Sequence, residues 1–188
     1  MTLAATSGTG NGEDLDVSAG TVTSTTDDSN YQMNGTQITK NTVTMRVSPS
    51  PRSNGFHGGY GITSAAVPDD TDDIDYGFDI YQLGGGDPKF RVKENGSTVE
   101  TWDWESEDYA EIQITDGTIV YKVYNSAGVQ QESHTSSLTF NHTSATYNLS
   151  AMQLYSSIQS SFTSMDDIGA PVSTSGLLNP PPYSEVRF

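Results

Sequence analysis

Five aspartates crowd one short stretch of the chain, Asp69, Asp70, Asp72, Asp73 and Asp75. Several carboxylate oxygens in one loop are what a hard cation such as calcium takes as ligands. The stretch lacks the spaced glycine and the closing bidentate glutamate of an EF-hand, so a solvated acidic loop between strands explains it better than a specific calcium site. A second constellation sets Trp102, Asp103, Trp104 and Tyr109 among Glu105, Glu107 and Asp108. Aromatic faces there can stack on a sugar ring while the carboxylates accept its hydroxyls, and paired acids at the right separation hydrolyse glycosidic bonds. The competing reading puts one tryptophan in the core and the other in a wet loop or subunit contact. His57, His134 and His142 are far apart and lack zinc-ligand spacing, which makes them isolated surface histidines, one in a turn and two in polar loops. No Gly-x-Ser-x-Gly elbow accompanies the many serines and threonines. The chain therefore reads as a protein without enzymatic activity, and no cofactor is expected.

The carboxyl end is the other unusual segment. Gly176-Leu-Leu-Asn-Pro-Pro-Pro-Tyr-Ser-Glu-Val-Arg-Phe188 cannot be helical, because three consecutive prolines impose an extended backbone. Leu177, Leu178, Pro180, Pro181, Pro182, Tyr183, Val186 and Phe188 are too apolar for a solvated linker, so this arm is expected to dock on a neighbouring subunit or on its own domain. Pro180-Pro-Pro-Tyr183 also matches a short WW-domain ligand pattern, which many unrelated sequences share.

Charge limits the partners. Asp plus Glu number 24 against 8 Lys plus Arg, giving a formal charge of -16 on 188 residues. Charged residues make up only 17% of the chain, below the roughly 25% of an ordinary globular protein. The bias thus reflects missing lysine as much as added acid. Such a surface repels itself in dilute buffer and is relieved at molar salt, where the Debye length falls to about 3 Å. This composition suits a halophilic host, with a mesophilic, calcium-filled secreted adhesin as the alternative. Neither admits nucleic acid, since no basic cluster is available to neutralise phosphates. Cysteine is absent, so neither disulfides nor thiolate metal sites exist. Met1 to Gly8 has no basic n-region and no long apolar run, and no later segment is apolar enough to span a membrane, so no export signal is expected.

Residues 1–30 are rich in Thr, Ser, Gly, Asn and Asp and bury too little apolar area to order themselves, which predicts a flexible or partner-ordered arm. From there the period is two. Val43, Met45 and Val47 alternate with Thr42, Thr44 and Arg46, and the turn formers of Pro49 to Gly55 are expected to break that strand. Ile74, Tyr76, Phe78 and Ile80 alternate with polar partners, Gly84 to Pro88 turns the chain, and Phe90 and Val92 resume the pattern. Asn95-Gly96 and Asp116-Gly117 are hairpin signals of the type I′ kind, and Asn125 to Gly128 marks a third turn. Ala151, Leu154, Tyr155, Ile158, Phe162 and Met165 recur at helical spacing, but the serines between them are poor helix formers, and two short strands are expected. The prediction is an all-β single jelly roll or β-sandwich of about 8–10 antiparallel strands over residues 31–168, with extended arms at 1–30 and 169–188.

The runs Tyr76-Gly-Phe-Asp-Ile80, Val92-Lys-Glu-Asn-Gly-Ser-Thr-Val99 and Ile112 to Asn125 resemble the central strands of concanavalin-like jelly-roll modules, departing at Asn125-Ser-Ala-Gly128, where a tight Asn-Gly turn is usual. That resemblance implies a lectin-like surface module, with Trp102, Asp103, Trp104 and Tyr109 as its glycan contacts. Acidity, length, lack of cysteine and lack of a signal segment also resemble the small single-jelly-roll major capsid proteins of haloarchaeal membrane-containing icosahedral viruses. The leading expectation is accordingly a capsid subunit in the virion shell of a virus of a halophilic host, meeting copies of itself, a second capsid protein and an underlying viral membrane through its loops and arms. The alternative is the lectin-like module at an extracellular surface.

Overall fold

A computed structural model describes residues 16–18, 21–23, 31–51, 56–65, 70–82, 86–105, 108–155 and 158–164. Its strands run in chain order as β1 (Asp16–Ser18), β2 (Thr21–Thr23), β3 (Tyr31–Gln37), β4 (Val43–Pro51), β5 (Phe56–Thr63) and β6 (Tyr76–Gln82). They continue as β7 (Lys89–Glu94), β8 (Ser97–Asp103), β9 (Tyr109–Thr115), β10 (Thr118–Tyr124), β11 (Gln130–Thr139), β12 (Asn148–Tyr155) and β13 (Ile158–Ser164). One single-turn 3-10 helix, Thr71–Asp73, interrupts the β pattern among the described residues.

The strands form two antiparallel sheets. The seven-stranded sheet has the order β1-β2-β13-β4-β9-β10-β11 and the six-stranded sheet β3-β12-β5-β6-β7-β8. This is the expected all-β sandwich, with more strands than the eight to ten anticipated. Two of the additional strands, β1 and β2, fall inside the segment expected to be an arm, where β2 pairs with β13. Residues 148–155 and 158–164 form two strands, as the serine content required.

Local chemistry explains the tight connections. Asn95 and Gly96 have φ of 46° and 78°, and Asp116 and Gly117 have 50° and 85°. Positive φ at both central residues is the type I′ geometry whose twist matches the flanking strands. At the third turn the Asn125 side-chain oxygen accepts from the backbone N–H of Ala127 and Val129 at 3.1 and 2.9 Å, an Asx-type closure. One expectation fails. Pro49 and Pro51 do not end β4, which pairs with β13 through Pro51. Pairing of β4 with β9 covers only Val43–Val47, so the prolines lie where one edge of the strand has no ladder to lose.

The core fills the space between the sheets. Val43, Met45, Val47, Ala110, Ile112, Ile114, Ile119, Tyr121 and Val123 point inward from one sheet, and Tyr60, Ile62, Phe78, Ile80, Phe90 and Val92 from the other. Phe78 meets Phe90, Trp102 and Tyr121 with ring centroids 5.9, 6.4 and 5.7 Å apart. Each large side chain so buried contributes about 1.5–3 kcal/mol. Alternate residues on the same strands are thereby committed to the two outer faces.

Candidate functional site

The outer face of the seven-stranded sheet carries a connected polar and aromatic patch. Ala110 and Ile112 face the core, so Tyr109, Glu111 and Gln113 of β9 face outward. Register sets Glu111 directly between Arg46 of β4 and Lys122 of β10. Glu111 Oε1 accepts from Arg46 Nε at 2.9 Å and Nη2 at 2.6 Å, and Oε2 accepts from Gln113 Nε2 at 2.8 Å. Gln113 Oε1 in turn accepts from Lys122 Nζ at 2.7 Å. Charge-assisted bonds on both carboxylate oxygens hold this row rigidly.

Beside the row lies an aromatic stack. Tyr109 and Tyr124 are register partners whose rings stack at 5.0 Å with 15° between planes. The Arg46 guanidinium lies 4.2 Å from the Tyr109 ring centre. Because β9 runs between β4 and β10, Arg46 and Tyr124 cover opposite faces of Tyr109. Burial, followed by the nearby Glu111 charge, pushes the Tyr124 hydroxyl above its ordinary pKa, so it is a neutral donor at physiological pH. Past the end of this face, where β10 and β11 approach the end of β8 in the other sheet, a cleft of about 230 Å³ opens between Asp103, Glu105 and Asp108 on one side and Asn125, Gln131 and Glu132 on the other. The pairing of β10 with β11 slips between Val123 and Tyr124, from Glu132 to Gln130. Gln131 is the residue skipped by that bulge, a device that re-aims side chains near sites.

The residues expected to bind glycan do not come together. Trp102 and Trp104 are both core residues, 8% and 4% exposed, and Trp104 packs on Phe90 at 6.1 Å. Neither ring has a face for a sugar, and neither is the wet-loop tryptophan that was anticipated. Asp103 pairs with Lys89 and lines a wall of the cleft, apart from the buried tryptophans. Tyr109 is the member of the set that lies on the outer face. Arg46, Glu111, Gln113, Lys122 and Tyr124 were missed because their signal is only that they alternate with core positions, and their partnership across three strands is not written in any one segment.

The acidic loop divides its carboxylates among separate tasks. Asp70 caps the 3-10 turn at Thr71, Asp72 pairs with Lys93 at 2.7 Å, and Asp75 accepts from the Ser64 N–H. Asp69 lies outside the described residues, and among those described no three His, Cys, Asp or Glu converge to hold a metal ion. The docking residues Leu177, Leu178, Pro180, Pro181, Pro182, Tyr183, Val186 and Phe188 also lie outside the described residues.

The histidines are neither in loops nor isolated, with the exception of His142, which sits in a turn where its N–H donates to Asn41 at 2.8 Å. His57 on β5 places Nε2 2.7 Å from buried Asp79. His134 on β11 lies between Glu94 at 3.7 Å and Glu100 at 3.6 Å, at the lateral mouth where the edges of the two sheets face each other. Its two nitrogens diverge toward the two carboxylates, which precludes a shared metal. Burial first, and then the Glu94 charge, push the Tyr121 hydroxyl beneath this cluster far above its ordinary pKa.

Architecture and site together define a two-sheet, jelly-roll-like β-sandwich whose seven-stranded sheet carries a polar, aromatic patch on its outer face. No protein family and no curated protein matches the sequence. Among solved structures the chain is similar to the CBM2 module of the evolved Dit of Lactobacillus casei BL23 phage J-1, at 11% identity and TM-score 0.55, over 80% of this chain and 77% of that one. It is similar to an endo-acting O-glycanase from the human gut microbiota, at 11% identity and TM-score 0.51, over 81% and 82% of the two chains. It is also similar to the exoplasmic/lumenal domain of VIP36 in its Ca2+-bound form, at 10% identity and TM-score 0.50, over 79% and 80%. At these identities the shared property is the sandwich fold.

Proposed function

We propose that the chain is a carbohydrate-binding module working at an outer surface, and that the outer face of the seven-stranded sheet is its platform. The observation that carries this reading is the Arg46–Tyr109–Tyr124 stack beside the Arg46–Glu111–Gln113–Lys122 row on one outer face, where all but the buried Glu111 are partly exposed. Amphipathic rings with a fixed frame of donors and acceptors suit a ligand whose faces are apolar and whose rim is all hydroxyl. A glycanase that initiates mucin breakdown and a phage-borne CBM2 module are built on the same sandwich. Fold alone assigns no function, so the weight rests on the face itself. The virion reading rests on composition and on carboxyl-arm residues outside those described, and no contact in the structure adds to it.

The test is a glycan array probed with the wild-type protein and with Tyr124→Ala. Retention of the wild type on at least one glycan, lost in a variant whose circular dichroism is unchanged, is the expected result. A folded wild-type protein that is retained on no glycan overturns the proposal.

A further inference from the structure

Resting on that reading, we infer that the platform takes one sugar ring at a chain end, carrying no carboxylate, and not a run of rings along a polysaccharide. The order of the stack decides the length. Tyr109 has one face under the Arg46 guanidinium and the other against Tyr124, so it offers no face to a ligand. Tyr124 ends the stack. One of its faces is taken by Tyr109, and among the described residues no other ring or cation stacks on the second, which turns toward β11, where its register partner Gln130 is exposed. A linear chain lying along a sheet needs successive stacking faces, and the described side chains of this sheet supply one.

The surroundings of that single face decide the charge. Tyr124 leads directly into Asn125, and the cleft beyond it is walled by Asp103, Glu105, Asp108 and Glu132, with the bulge residue Gln131 among them. Ionised carboxylates only accept hydrogen bonds, so they receive sugar hydroxyls and repel a uronate or another acidic terminus. Lys89 is engaged by Asp103 and Lys122, whose ammonium is turned to Gln113, sits on the far side of the tyrosine row from the cleft, so Glu105, Asp108 and Glu132 leave the cleft wall negative.

The experiment is a calorimetric titration of the full-length protein with mono- to tetrasaccharides of the glucose, galactose, mannose and galacturonic acid series. The expected result is that at least one neutral series binds, with affinity level to within about twofold from the second ring onward, that the galacturonic series does not bind, and that Tyr124→Ala weakens the bound series about tenfold or more. Affinity that climbs tenfold or more from di- to tetrasaccharide overturns the single-ring inference and leaves the carbohydrate-binding proposal standing. Galacturonic acid bound as tightly as galactose overturns the charge exclusion in the same way. No binding in any series, together with no retention on the array, removes the proposal and this inference with it.

Discussion

On the outer face of the six-stranded sheet each cation of β7 has an aspartate of its own. Lys89 pairs with Asp103, Arg91 with Asp79 at 3.3 Å, and Lys93 with Asp72 at 2.7 Å. Asp79 is 1% exposed, takes His57 on its second oxygen, and lies under an Arg91 that stacks 3.5 Å above the Tyr81 ring. Beside it Gly61 and Gly77 face each other so closely that a Cβ on Gly61 would run into the Tyr76 carbonyl oxygen. Around β6 and β7 that face is closed on itself. On the seven-stranded sheet two cations share Glu111 through a neutral glutamine, and a tyrosine is left at the end of a stack. The same strand chemistry therefore yields a lock where each cation is matched by its own carboxylate, and a platform where donors and a ring face are left over.

The largest expected effect breaks the lock. Asp79→Ala strips a buried carboxylate from Arg91 and His57 and should cost about 2 kcal/mol, less than for a fully buried pair because both partners are partly solvated. Urea denaturation measures this, and a loss under about 0.5 kcal/mol would mean that the six-stranded face is not closed by its ion pairs. Next, Glu111→Gln removes the charge that holds Arg46 over Tyr109 and should cost about 1 kcal/mol in the same assay. If it cost more than Asp79→Ala, the roles assigned to the two faces would be reversed. Smallest is Lys89→Gln, which removes an exposed pair and should leave the urea midpoint unchanged. A clear shift there would show that even the rim of β7 contributes to the lock.

Much of the architecture was legible in local sequence. Asn95-Gly96 and Asp116-Gly117 announced their turns because positive φ at both central positions selects those residue types. Alternation at Val43, Met45 and Val47, and again at Ile119, Tyr121 and Val123, named the inward positions correctly. The strand through Pro49 and Pro51 was not legible, because whether a proline is tolerated depends on which side of the strand is paired. The same applies to the histidines, whose carboxylate partners come from other strands.

By itself the sequence determined the all-β class, the hairpins, the inward-facing residues and the excess of negative charge, since each depends on residues within a few positions of one another or on composition alone. The tertiary structure decided which of the aromatic and charged side chains are available for binding. Trp102 and Trp104 look like sugar-stacking residues in the chain and are core in the fold, whereas Arg46 and Glu111, 65 positions apart, become direct neighbours. The physical reason is that period-two alternation marks two faces without saying which one will be covered, and that strand order, a product of the whole sandwich, sets which outward residues meet.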